Sequence, residues 1–137
     1  MLAAKPTDVV VTVSPTATVR ELLMLLEEHN IGALVVSDDG DSVAGIVSER
    51  DVVRHLARNP NLLEMSVSSI MTSDVRTISP EDTIQGTREL MTDHRIRHFP
   101  VVVDGHLRGL VSIGDIVKSH IAQVEYERDQ LDSYVRS

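Results

Sequence analysis

Two short stretches of this chain place a hydroxyl and a carboxylate three residues apart: Ser48 with Asp51, and Ser112 with Asp115. Each pair follows an apolar run, Gly45-Ile46-Val47 or Gly109-Leu110-Val111, and opens a stretch of helical periodicity. A strand-to-helix corner of this kind can do two things at once. The free N–H groups and positive dipole end of the helix attract an anion such as phosphate. The carboxylate would repel that phosphate, but it can accept two hydrogen bonds from the vicinal diol of a ribose. One corner therefore suits both parts of a nucleotide. The same residues also make a capping pair that needs no ligand, because a serine N-cap and an acid three positions on satisfy each other's backbone donors.

The elements that position these pairs come in two copies. Val13-Ser14-Pro15, Thr18-Val19, His29 and Ile31 return as Ile78-Ser79-Pro80, Thr83-Ile84, His94 and Ile96, displaced by 65 residues (78 − 13 = 65). After a one-residue gap, Gly45 to Ser48 with Asp51 returns as Gly109 to Ser112 with Asp115, displaced by 64 (109 − 45 = 64). Two copies of one supersecondary unit must bury similar surfaces against each other, which creates a two-fold-related pair of clefts.

Each unit reads strand, helix, strand, strand, helix. In the first copy, Val9 to Val13 is a β-branched run closed by Ser14-Pro15. Thr18 and Glu21 have capping-box spacing ahead of a helix reaching His29. Ile31 to Val36 and Val43 to Val47 flank Asp38-Asp39-Gly40 as two buried strands, and Ser48 to Ala57 is helical. The second copy runs Val75 to Ile78, Thr83 to His94, Phe99 to Val103, Leu107 to Val111 and Ser112 onward, with Asp104-Gly105 as a tight hairpin turn. Asn59-Pro60-Asn61 breaks the chain between copies, and Ser66 to Met71 is expected as a short helix. Gly86 weakens its helix by about 1 kcal/mol relative to alanine. The expected division is 1–58, a linker over 59–74, 75–121, and a helical extension over 122–137.

Composition narrows the chemistry. Thirteen Lys and Arg against 21 Asp and Glu give a net charge of −8, so a nucleic-acid backbone would be repelled, and no basic run offsets this. The absence of cysteine removes thiol catalysis, disulfides and thiolate metal sites. Aromatic residues make up 2% of the chain, so a base would be held by aliphatic side chains and backbone. No apolar run is long enough to cross a membrane, and Met1 to Asp8 lacks an apolar stretch of signal-peptide length. A soluble, cytoplasmic protein is expected. His29 and His94 sit at equivalent helix ends, where the dipole favours them, and the remaining histidines lack the i, i+4 spacing of a helical metal site. No metal is expected.

The motifs Gly45 to Asp51 and Gly109 to Asp115, with Arg95-Ile96-Arg97-His98-Phe99-Pro100-Val101, resemble those of the cystathionine-beta-synthase (CBS) domain, which occurs in tandem. The resemblance runs from Val9 to His120. It implies an α+β fold of two βαββα repeats packed by pseudo-two-fold symmetry, with clefts for AMP, ADP or ATP, and NAD or S-adenosylmethionine as secondary candidates; no cofactor is required. By position it implies nucleotide-binding roles for Thr12, Ser48 and Asp51 in the first copy and Thr77, Ser112 and Asp115 in the second. It also implicates the basic stretch Arg95, Arg97, His98 and Pro100. Arg50 is a candidate local cation. The copies differ where phosphate would be met: Arg97 and His98 correspond to Gly32 and Ala33, and Arg95 to Asn30. The clefts should bind a phosphate-bearing ligand unequally unless basic groups of one copy reach the other's site.

The last helix overruns the repeat. Val117, Ile121, Val124, Arg128, Leu131 and Val135 alternate at spacings of four and three, a coiled-coil-like seam. It suits either packing on the chain's own domain or pairing with a second copy. The expected function is a non-catalytic nucleotide sensor acting through a homodimer or an effector protein. The alternative is a structural dimerisation module in which the Ser and Asp pairs are caps only. No nucleophile with a base and an orienting group suggests an enzyme.

Overall fold

The computed structural model describes residues 10–136. Its elements are β1 (Thr12–Val13), α1 (Val19–His29), β2 (Ala33–Val36), β3 (Gly45–Ser48), α2 (Glu49–Leu56), 3-10 turns at Leu62–Glu64 and Val67–Ser69, α3 (Ile84–His94), β4 (His98–Val103), β5 (His106–Ser112) and α4 (Ile113–Arg136). The first copy forms a sheet in the order β1-β2-β3, with β1 parallel and β3 antiparallel to β2. All four residues of β2 are buried, as expected of a strand paired on both edges.

Equivalent helices begin and end alike because their caps repeat. Thr18 Oγ1 accepts from Glu21 N at 3.1 Å, and Thr83 Oγ1 accepts from Gly86 N at 2.9 Å. Both helices stop on a left-handed residue, Asn30 at φ 50° and Arg95 at φ 55°. Gly86 is therefore in the first turn, at the position of Glu21, and not in the helix interior.

The second copy departs from expectation at its start. A strand over Val75 to Ile78 does not form: Ile78 alone pairs, in parallel with Val101, through Ile78 N to Pro100 O at 3.0 Å and Val102 N to Ile78 O at 2.9 Å. The reason lies in the side chains. Ile78 is buried, whereas Asp74, Arg76 and Thr77 are exposed and gain nothing from being drawn onto the sheet. In the first copy β1 is likewise short, and Val9 lies outside the described residues. The β4–β5 turn has positive φ at both Asp104 (52°) and Gly105 (80°), the type I′ geometry that matches strand twist.

The segment between copies is corrected too. Ser66 to Met71 contributes only a 3-10 turn at Val67–Ser69, whose Val67, with Ile70, is buried in the first copy's core. Thr72 then pairs backbone to backbone with Ile46, N to O at 2.9 and 3.0 Å, along the free edge of β3.

The halves touch near their pseudo-two-fold axis. Asp41 O accepts from Leu107 N at 2.8 Å, and the Asp41 carboxylate contacts His106 Nδ1. Asp41 and His106 are 65 residues apart, the displacement of the repeat itself, so the two hairpin connections meet as counterparts do across a symmetry axis.

The expectation that the last helix packs on its own domain holds only for its first turns. Ile116 is buried, but every residue from Ile121 to Ser133 is exposed. The seam residues Val117, Ile121, Val124 and Leu131 face solvent, and the side chain of Val135 lies outside the described ones.

Candidate functional site

Ser48 ends β3 and caps α2. Asp51 Oδ2 accepts from Ser48 N at 2.8 Å and from Ser48 Oγ at 3.1 Å, while Asp51 N donates to Ser48 Oγ at 3.3 Å. Ser112 and Asp115 repeat this geometry at 2.9, 3.0 and 3.1 Å. The cap reading is thus correct for both pairs. It accounts for one carboxylate oxygen of Asp51: among the described residues, Oδ1 takes no hydrogen bond.

Asp51 and Ser48 also line a cleft of about 650 Å³. One wall is the first copy's own: Gly32 and Ala33 at the entry to β2, Ile46 on β3, and Glu49, Arg50 and Arg54 on the exposed first turns of α2. The other wall belongs to the second copy and its leading segment: Thr72, Asp74, Val75 and Arg76, then Arg95 to His98. The Thr72–Ile46 pairing lays the leading segment beside β3, and the left-handed turn at Arg95 starts the basic stretch after α3.

The basic groups of the second copy therefore reach across to the first copy's motif. Arg50, Arg54, Arg76, Arg95 and Arg97 face Glu49, Asp51 and Asp74, leaving a local excess of positive charge in a chain of net −8. Such a cleft concentrates anions despite the acidic surface around it. Its apolar lining, Ala33, Ile46, Val75 and Ile96, is entirely aliphatic. At Gly32, the counterpart of Arg97, an added Cβ would lie 3.3 Å from Glu49 Oε1, so glycine leaves the cleft open there.

Of the residues singled out from sequence, Ser48, Arg50, Asp51, Arg95, Arg97 and His98 meet in this cleft. Thr12, Thr77, Pro100, Ser112 and Asp115 do not line it. Thr12 pairs with Val35 inside the first sheet, Thr77 is exposed beside the lining residue Arg76, and Pro100 is buried in β4. Ser112 and Asp115 sit at the start of α4, in the equivalent corner. The counterpart of Thr72 to Arg76 there is Thr7 to Val11, of which residues 7–9 lie outside the described ones.

Sequence reasoning missed Arg54 and Arg76. Arg54 carried a signal: it stands four residues after Arg50 and three after Asp51, so all three share one face of α2. Arg76 carried none, because its approach depends on the tertiary pairing of Thr72 with Ile46.

Comparison with known proteins agrees with this architecture. The sequence profile of the CBS domain matches residues 4–58 and 67–121. A mitochondrial CBS domain-containing protein of Arabidopsis thaliana is 36% identical over 124 residues, which cover 87% of this chain but 60% of that relative's length. The crystal structure of a CBS-domain-containing protein of Agrobacterium tumefaciens is 42% identical, with a TM-score of 0.77 over 81% of this chain and 89% of that one. A CBS domain protein of Pyrobaculum aerophilum, solved in complex with AMP, is 33% identical with a TM-score of 0.71 over 80% and 84% of the two chains. With two profile matches laid over two structural repeats that share caps, sheets and a pseudo-two-fold contact, this chain belongs to the CBS-domain family and carries a tandem pair of these domains.

Proposed function

We propose that this chain is a non-catalytic regulatory module that binds an adenine nucleotide of the AMP, ADP or ATP class in the cleft around Asp51. The observation that carries this reading is the delivery of Arg95, Arg97 and His98 by the second copy to the Ser48–Asp51 corner of the first. An anion then has guanidinium groups and a helix N-terminus to meet, and a ribose has the uncommitted Oδ1 of Asp51. The aliphatic walls suit the faces of a base. The AMP complex of the Pyrobaculum relative supports the ligand class.

Because the cleft is built from both copies, a bound nucleotide ties one repeat to the other. A ligand that prefers one arrangement of the repeats shifts the chain toward it, and the shift is passed to an effector protein or to a second copy.

Calorimetric titration with AMP, ADP, ATP, NAD and S-adenosylmethionine tests the proposal. At least one adenine nucleotide should bind saturably. Asp51→Asn and Arg97→Ala should each weaken it tenfold or more, while Asp51→Asn keeps an acceptor for Ser48 N and so keeps the fold. No binding by any of the five ligands defeats the reading. In that case the two closed capping boxes favour the alternative, a structural dimerisation module in which Ser48, Asp51, Ser112 and Asp115 only start helices.

A further inference from the structure

Two arginines of the cleft stand outside the motifs that the repeats share. Arg54 follows Arg50 by one turn of α2, and like charges at that spacing cost helix stability. Arg76 reaches the cavity from the opposite wall, on the segment that leads into the second copy. Glu49 and Asp74 line the same cavity, yet among the described residues neither arginine makes an ion pair or a hydrogen bond with them or with any other group. The exposed Arg20, by contrast, is closed onto Glu64 at 2.7 Å.

The backbone explains why Arg76 is available. In the parallel ladder Ile78 N donates to Pro100 O, and Ile78 O accepts from Val102 N. The next rung would run from the N–H of residue 100 to Arg76 O, and proline has no N–H to give. The counterpart of Pro100 in the first copy is Val35, a residue of β2 paired with Thr12 of β1. The second ladder therefore stops at Ile78, and Arg76 can settle on a ligand.

We infer that Arg54 and Arg76 grip the phosphate of the bound nucleotide from opposite walls, so that recognition depends on the phosphate more than on the nucleoside. The inference rests on the nucleotide site proposed above and adds which part of the ligand that site measures. A guanidinium meets phosphate oxygens with paired N–H donors, whereas the ribose is left to Asp51 and the base to aliphatic walls. Arg54 belongs to the first copy and Arg76 to the segment entering the second. A phosphate held by both bridges the repeats, and a nucleoside without one does not.

Calorimetry of the full chain with AMP, ADP and ATP, each compared with adenosine, tests it. Arg54→Gln and Arg76→Gln should each weaken the nucleotide that binds about tenfold and leave adenosine unchanged. Both side chains are exposed, so neither variant should disturb the fold. In NMR spectra the Nε–H signals of Arg54 and Arg76 should shift and exchange more slowly when that nucleotide is added, and should stay in place with adenosine. This second readout reports phosphate contact however weakly adenosine binds. Unchanged nucleotide affinity in the variants, an equal loss for nucleotide and adenosine, or unmoved Nε–H signals overturns the inference while the nucleotide site stands. No binding of any of the three nucleotides to the unaltered chain defeats the site itself and the inference with it.

Discussion

The two repeats share a backbone plan but not a core. Around the first sheet, Leu22, Leu34, Val19, Val36, Val47, Leu62 and Val67 are completely buried in a cluster that also recruits Ile70 from the linker. Around β4 and β5 the cluster is smaller and depends on Phe99, the chain's single phenylalanine, with Ile78, Met91, Val101, Val111 and Ile116. At the position of Leu22 the second copy has Thr87, 1% exposed, whose hydroxyl finds no hydrogen-bond partner among the described residues. At the position of Glu21 it has Gly86. Repetition thus preserves the caps and turns that define the unit while the packing of the two halves drifts apart, and the second half is the weaker.

The sharpest way to break this comparison is at Phe99. It is fully buried in the smaller cluster, so Phe99→Ala should cost about 3–5 kcal/mol, at the upper end for a core truncation. Urea denaturation measures the loss, and hydrogen exchange should show β4 and β5 opening before β2 and β3. A loss below about 1 kcal/mol would mean that the second core does not depend on this ring.

The next effect has the opposite sign. A buried hydroxyl without a partner is costly, and valine fills nearly the same space without that polar group. Thr87→Val should therefore stabilise the protein by about 1 kcal/mol, read as a higher denaturation midpoint with an unchanged slope. A destabilised variant would show that the hydroxyl is satisfied in solution.

Gly86→Glu installs the first copy's residue in the second copy's cap and should add about 0.5–1 kcal/mol, from helix propensity and a favourable charge at the helix N-terminus. A Cβ at Gly86 would lie 3.0 Å from Thr83 Oγ1, which asks the threonine to give slightly. The first copy shows that it can: Thr18 makes the same cap to Glu21 at 3.1 Å. Failure to stabilise would place the two caps in different geometries.

What could be read from the sequence was whatever is decided within a few residues. Thr18, Ser48, Thr83 and Ser112 announce their helices because an N-cap acts on a donor two or three positions away. Asp104-Gly105 announces its turn because both residues accept positive φ. Val75 to Ile78 looked like a strand because its partner in the repeat is one, yet only Ile78 of the four is fully buried against the sheet. The cleft was half legible. Ser48, Asp51 and Arg50 are neighbours in sequence, and the basic stretch from Arg95 was visible as a motif. That these two groups share one cavity follows from the docking of the repeats and from Thr72 lying along β3, and neither fact is written in any local pattern. The arm beyond His120 shows the reverse: its seam is plain in the sequence, and among the described residues the structure leaves Ile121 to Ser133 exposed.

The smallest expected effect separates the two hairpin connections. The second copy turns on two residues, Asp104 and Gly105, through their backbone conformation, and the adjacent His106 meets the Asp41 carboxylate. The first copy needs a longer loop, and Asp39 organises it: its Oδ1 accepts from Asp41 N and Ser42 N, each at 2.8 Å, from Ser42 Oγ at 3.0 Å and from Ser37 Oγ at 3.2 Å. These donors, the backbone N–H of Ser42 first and that of Asp41 next, hold the Asp39 carboxyl well below its ordinary value of 3.8. A carboxyl group whose value is lower in the folded chain contributes stability that is fully present above the unfolded value and is lost as pH falls toward the folded one. The Ser37–Ser42 loop should therefore keep its order at neutral pH and loosen only below about pH 4. The Asp104-Gly105 turn, which rests on no carboxylate clamp of this kind, should hold through the same range. Amide exchange or chemical shifts of Asp41 and Ser42, followed from pH 5 to pH 2 beside those of Gly105, measure the difference. Asp39 is exposed, so the effect on global stability is small, and Asp39→Asn should remove the pH dependence of the first loop without unfolding either repeat. Equal loosening of both turns would assign the change to the acid-weakened fold as a whole and not to this carboxylate.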